Sequence, residues 1–348
     1  MKNETIKDFH PYHRYKRNLR RVIVFWVSVF TVLLLFTIAA DINPSWVKTM
    51  LLILLILILV ASILVLELVN VMKMREIWNE MDYSGLKKRN IDFTTKDGID
   101  YFAYLYTRKD VDLEDNPRPR PTIIGIHGYA GHHRIMDRYC LPIIREDQEH
   151  EYMYFTFDAR GHGQTPGDMN DFKQYDDLEG FLDLVKNYPG VDKDRICVVA
   201  MSLGCTKAAV LCYPDPDIKL LVLLSGMYDI PTTMKHMGKL EKIYFKSLEM
   251  YVKGKEEEAD FHVINEFKPE GIILHGDEKP TPNERRIFLI ANKDDRLVNY
   301  RNSLNAARRM NLPPKNYRIY DGGSHNHKGN EWLLGVAIYS FVTSKIDE

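Results

Sequence analysis

The chemistry in this 348-residue chain collects in a few short polar stretches. Ser202 sits in Ala200-Met-Ser202-Leu-Gly204, after the apolar run Ile196 to Ala200 and before the small residues Ala208 and Ala209. A serine on a sharp strand-to-helix turn is held in a strained backbone that pushes its hydroxyl outward. The helix start beneath it supplies oriented N–H groups, which is what a nucleophile needs. Ala200 stands where a G-x-S-x-G pattern has its first glycine, and alanine is small enough to keep the turn. The competing reading is an ordinary β–α turn with serine as helix N-cap. A serine hydroxyl also needs a base, usually a histidine oriented by a carboxylate. Two later stretches offer both: Ala291-Asn-Lys-Asp294-Asp295-Arg-Leu-Val298 and Asp321-Gly-Gly-Ser-His325-Asn-His327. The chain order Ser202, Asp295, His325 fits, with Asp294 or Asp229 as alternative acids and His327 as alternative base.

These residues need strands to carry them. Short apolar runs rich in β-branched and aromatic residues occur at Thr122 to Ile126, Tyr152 to Phe157, Ile196 to Ala200, Leu220 to Leu224, Arg286 to Ile290 and Tyr317 to Tyr320. They read as buried strands alternating with helical stretches, one of them about Asp176 to Asn187. That alternation implies a mostly parallel sheet covered on both faces, with ligands beyond the carboxyl ends of the strands, where the polar stretches fall. Asp97-Gly98 marks a hairpin between Asn90 to Lys96 and Ile99 to Thr107. Residues 228–284 break the alternation; their Met and aromatic content suits a helical cap over the sheet, and Lys253 to Glu258 reads as a solvated face.

With these motifs in place the domain resembles the α/β-hydrolase superfamily over roughly residues 90–345. The resemblance rests on the His127-Gly128 loop, Asp158-x-Arg160-Gly161-His162-Gly163, the Ser202 elbow, Asp295-Arg-Leu-Val298 and Gly-Gly-Ser-His325. It implies an eight-stranded, mostly parallel sheet with helices on both faces and an inserted cap. It further implies Ser202 as nucleophile, His325 as general base then acid, and Asp295 as orienting carboxylate. The backbone N–H groups of Tyr129 and Leu203 would form an oxyanion hole. The implied activity is ester hydrolysis without a cofactor; a peptidase or amidase, thioesterase or acyltransferase would use the same residues, because fold does not fix substrate. Arg160 and His162 read as holders of their loop. His325-x-His327 and His132-His133 lack the clustered carboxylates of a metal site, so no metal is expected.

The N-terminal region has a different character. Val22 to Ala40 carries no charge, nor does Met50 to Leu66, and each supplies the length of a membrane span. Asp41-Ile-Asn-Pro-Ser-Trp46 reads as the turn between them. Lys and Arg flank the pair at Lys2 to Arg21 and at Lys73 to Arg89, which places both ends in the cytoplasm. The expected organisation is a basic N-terminus (1–21), two transmembrane helices (22–69, about 22–40 and 47–69), a juxtamembrane linker (70–89) in which Val71 to Ser84 reads as a helix or linker ended by Gly85, and the hydrolase domain (90–348). Partners follow: membrane lipids and a small-molecule or lipid acyl substrate.

The formal net charge of −1 gives no field that favours nucleic acid. The four cysteines, Cys140, Cys197, Cys205 and Cys212, form no C-x-x-C pair and read as buried free thiols. A non-catalytic membrane scaffold has no need of the Ser/Asp/His set. Spans without ionisable residues argue against a channel or transporter.

Overall fold

The structure is a computed structural model that describes residues 24, 28–40, 45–79, 81–114, 118–129, 131–168, 173–228, 233 and 286–348. The basic N-terminus, Asp229 and nearly all of the expected cap lie outside the described residues. The chain divides into two units, Met1–Asp82 and Tyr83–Glu348.

In the first unit a short apolar helix, Ser28–Ala39 (α1), precedes Ser45–Asn79 (α2), a 35-residue helix. Within α2, Ser45–Ser62 has mean hydropathy 2.3 with none of that window buried. Among the described residues it is the one helix long and apolar enough to cross a membrane. The hydroxyls here bond to their own helix: Ser28 to Val24 O (2.9 Å), Thr37 to Leu33 O (2.9 Å) and Ser62 to Ile58 O (2.7 Å). Such bonds satisfy each hydroxyl within its own helix. Lys48 Nζ donates to Ile38 O and Ala40 O, covering carbonyls that the end of α1 leaves unpaired. No glycine or proline interrupts residues 70–79, and α2 continues through them as a helix to Asn79.

The second unit is built on one eight-stranded sheet. Its strands are β1 (Leu86–Thr94), β2 (Asp100–Arg108), β3 (Arg120–Ile126), β4 (Met153–Phe157), β5 (Val191–Met201), β6 (Ile218–Leu224), β7 (Ile287–Asn292) and β8 (Tyr317–Tyr320). The order is β1-β2-β4-β3-β5-β6-β7-β8. β2 runs antiparallel to both neighbours, and all other pairs are parallel. The sheet thus begins at Leu86, inside the stretch expected as linker. The hairpin falls where expected, with Gly98 at φ +83°. β3 and β4 are buried along their whole length, as strands covered on both faces must be.

Helices α4 (Gln174–Lys186), α5 (Leu203–Leu211) and α6 (Arg301–Arg309) close one face over a core that includes Phe155, Phe181, Val198 and Ala208. On the other face α3 (His133–Glu146) packs beside α7 (Glu331–Thr343). α3 carries Pro142 inside it, facing Gly335 of α7, where an added Cβ would stand 4.0 Å from the Pro142 ring carbon, an ordinary contact. All four cysteines are free and buried.

Asp137, on α3 and fully buried, ties this face to the start of the domain. Its carboxylate accepts from the phenols of Tyr83 (3.0 Å), Tyr154 (3.1 Å) and Tyr106 (3.4 Å), whose rings stack in series. A buried donor stripped of its acceptor costs about 1–3 kcal/mol. Asp137→Ala should therefore lower unfolding stability by about 3 kcal/mol, and Tyr83→Phe by about 1 kcal/mol, in urea titrations.

Candidate active site

Ser202 lies between β5 and α5 with φ 54° and ψ −122°. A non-glycine residue there stores about 1–3 kcal/mol, which the surrounding packing must hold. Its N–H donates to Leu224 O at 2.9 Å, anchoring the turn to the end of β6. The tight clearances are at two glycines. A Cβ on Gly204 would come within 2.5 Å of both Ile126 O and His127 O, and one on Gly128 within 2.7 Å of Ser202 Cβ. Ala200 is an ordinary, fully buried strand residue between Ile126 and Leu223. The departure from glycine at 200 is tolerated because the close approach is made at 204 and 128. Cys205 points its sulfur at Ala200 O and Leu224 O, and burial pushes its thiol up, which fits a packing role.

The structure brings Asp295 and His325 together. His325 Nδ1–H donates to Asp295 Oδ2 at 2.8 Å, and Asp295 Oδ1 accepts the N–H groups of Leu297 and Val298, both at 2.9 Å. The Asp295 side chain is fully buried, whereas that of His325 keeps 12 % exposure. With Nδ1 so engaged, Nε2 of the neutral ring is the lone pair available as a base.

The alternatives have other duties. Asp294 accepts from the backbone of Gly323 (3.3 Å) and Ser324 (2.8 Å), holding the His325 loop from below. His327 is fully buried; Asn292 Nδ2–H donates to its Nδ1 (2.7 Å) and its Nε2–H donates to Ser225 Oγ (3.1 Å). Burial drives its pKa down to about 3, and nearby His325 adds to the effect. It is a neutral strut with no nitrogen left for proton transfer. Asp229 lies outside the described residues. Asn292 and Ser225, at strand ends, and Asn330, which stands at the N-cap position of α7 and donates to Gly322 O, carried no further signal in the sequence.

Two further loops meet at the site. His127 Nδ1–H donates to Gly128 O (2.8 Å), and its Nε2 accepts from Ala159 N–H (2.9 Å). Asp158 accepts from the backbone and ring of His133 (2.7 and 2.8 Å) and from Gln164 N–H (3.0 Å). Burial by itself would raise the Asp158 carboxyl, but these donors hold it below the usual range. Arg160 is spent on bidentate pairs with Asp177 and Asp97, a holding role as expected. His162 Nδ1–H donates to Arg160 O at 2.8 Å. Desolvation lowers His127 to about 3 and His162 to about 4; buried Lys207, itself lowered to about 8 by burial, adds to both shifts. The ring of His133 is committed to Asp158, and no group of three or more potential metal ligands forms among the described residues. Leu203 opens α5, so its N–H has no partner within the helix. Tyr129 follows Gly128 in the loop packed on Ser202.

The topology, with a strained serine after the fifth strand and a His–Asp pair after the last two, is that of the α/β-hydrolases. Residues 117–266 match the sequence model of the family described as serine aminopeptidase, S33. The esterase Pf2001 of Pyrococcus furiosus aligns over 75% of this chain and 93% of its own, with 22% identity and TM-score 0.51. Est1E of Butyrivibrio proteoclasticus, solved with ferulic acid, aligns over 72% and 98% with 19% identity and TM-score 0.52. An acetyl xylan esterase from Paenibacillus sp. R4 aligns over 77% and 86% with 17% identity and TM-score 0.55. Among curated proteins, no sequence matches this chain. The chain is an enzyme of the serine-hydrolase type on an α/β-hydrolase fold.

Three buried histidines kept neutral make the domain acid-sensitive. Between about pH 6.5 and pH 3–4 the unfolded chain binds protons that the folded one refuses, so stability rises with pH there. Urea midpoints should fall steadily below pH 6.5. His327→Asn should flatten the slope by about 1.4 kcal/mol per pH unit, the contribution of one proton.

Proposed function

We propose that this chain is a membrane-anchored serine esterase acting on a lipophilic acyl ester. The observation that carries the catalytic part is the His325–Asp295 hydrogen bond, made at the same sheet end as the strained Ser202. His325 Nε2 takes the Ser202 proton as Oγ attacks the acyl carbon. The N–H groups of Tyr129 and Leu203 receive the developing oxyanion. The tetrahedral adduct collapses, the C–O bond to the leaving alcohol breaks, and the His325 imidazolium protonates that alcohol. Water, deprotonated by His325, then attacks the acyl-enzyme; the acid leaves and Ser202 regains its proton. Asp295 holds the ring and stabilises the imidazolium throughout.

The ester preference is supported by the three fold neighbours described as esterases and by the ferulic acid bound in one of them. The S33 aminopeptidase description of the matching family favours a peptide or amide substrate as a second reading. The lipophilic substrate and the anchor rest on the exposed apolar segment of α2 and on the uncharged stretch before it. The basic flanks support an orientation with the hydrolase domain in the cytoplasm.

A fluorophosphonate probe should label the wild type and leave Ser202→Ala unlabelled; labelling that persists in the mutant removes Ser202 from the mechanism. Asp295→Asn should lower kcat on a p-nitrophenyl ester by about 10⁴-fold, whereas Asp294→Asn should cost about tenfold or less. Octanoyl esters should be cleaved faster than acetyl esters, and a preference for aminoacyl amides would move the assignment to the peptidase reading. Carbonate washing should leave the chain in the membrane fraction, and its release would refute the anchor.

A further inference from the structure

We propose that His127 is a positioning residue that sets the direction of the oxyanion-hole donor on Tyr129. The inference rests on the serine-hydrolase reading above. It starts from the peptide unit joining Gly128 to Tyr129. That unit is planar and trans, so its C=O and N–H point in opposite directions. Whatever fixes the Gly128 carbonyl therefore fixes the Tyr129 N–H.

Two donors fix the carbonyl: His127 Nδ1–H at 2.8 Å and Gly131 N–H at 3.1 Å. Both lie on the side away from the N–H. Space around this junction is closed as well. A Cβ on Gly131 would stand 2.9 Å from Gly128 O and 3.1 Å from His127 Nδ1, and one on Gly128 would strike Ser202 Cβ at 2.7 Å. The peptide thus sits between its own carbonyl donors on one side and the Ser202 turn on the other.

His127 can hold this carbonyl only as the Nδ1–H tautomer. The second ring nitrogen enforces that form: Nε2 accepts the Ala159 N–H at 2.9 Å and so cannot carry the proton while the ring is neutral. Ala159 follows Asp158, whose carboxylate is gripped by His133 and Gln164, so the acceptor side of the ring is itself held rigid. The His162 ring lies 5.1 Å from that of His127 and 6.1 Å from that of Tyr129, filling the remaining side. The imidazole is a two-ended brace: the loop after β4 fixes its tautomer, and the tautomer aims an N–H of the loop after β3.

Asparagine and glutamine separate the two ends. An asparagine amide reaches the position of Nδ1 and donates to Gly128 O; a glutamine amide reaches the position of Nε2 and leaves that carbonyl without its side-chain donor. The test is the second-order rate of Ser202 phosphonylation by a fluorophosphonate on the full chain in detergent. kcat and KM for p-nitrophenyl butyrate and the thermal midpoint are measured beside it. Loss of an oxyanion donor typically costs about 10²–10³-fold in kcat. Misaiming one should slow His127→Ala and His127→Gln by about 10- to 100-fold in kcat and in labelling, with KM little changed. His127→Asn should stay within about threefold of wild type, although all three lose stability. Equal slowing of all three variants in step with their thermal midpoints would reduce His127 to a packing residue and overturn the inference, as would wild-type rates in all three. A wild type that fails to label overturns the hydrolase reading and this inference with it, whereas a labelled wild type with unaffected variants overturns this inference alone.

Discussion

Where the carbonyl oxygens of Ile126 and His127 press on the Cα of Gly204, there is no room for a methyl group, and the site is organised by that contact. It is a backbone-to-backbone approach between the end of β3 and the first turn of α5. Only a residue without a side chain permits it. Because the helix can come this close, the preceding residue is forced into the left-handed region, and Ser202 occupies it despite the strain. The same approach brings Gly128 against Ser202, so the loop after β3 and the Ser202 turn share one wall. The hydroxyl and its surrounding amides are consequences of one steric constraint rather than separately placed parts.

Around that contact the loops are stitched by polar side chains. His127, His133 and His327 each use ring nitrogens to join segments distant in sequence, and Asp158, Asp294 and Asp295 each collect backbone N–H groups. His325 pairs with one carboxylate, as His133 does, and differs by its partial exposure. The contrast between His325 and His327, two residues apart on one loop, is set by environment alone. One is braced by Asp295 and open at Nε2; the other is enclosed between Asn292 and Ser225.

Much of this was legible from the chain itself. Hydrophobic runs located the strands to within a few residues, because β-branched segments between polar turns have few other uses. Asp97-Gly98 announced its hairpin, and the elbow announced itself through the small residues after Ser202. No sequence reading placed a helix at α3, and Pro142 inside it is a residue that ordinarily breaks one. The spacing to Val298 favoured Asp295 over Asp294, but which backbone amides each carboxylate meets depends on the folded loops and could not be read from the chain. The His327 strut was hidden for the same reason, since Ser225 and Asn292 come from two other strands.

The four buried thiols described with the fold have a consequence of their own. Cys140 lies on α3, Cys197 in the central strand β5, and Cys205 with Cys212 on or beside α5, and burial pushes each thiol up from its ordinary range. In the closed domain they are silent to alkylating reagents, so each becomes reactive only when its own element opens. The chain thus carries an internal clock: the order in which the four sulfurs are modified records which parts of the fold breathe first, without any label added to it.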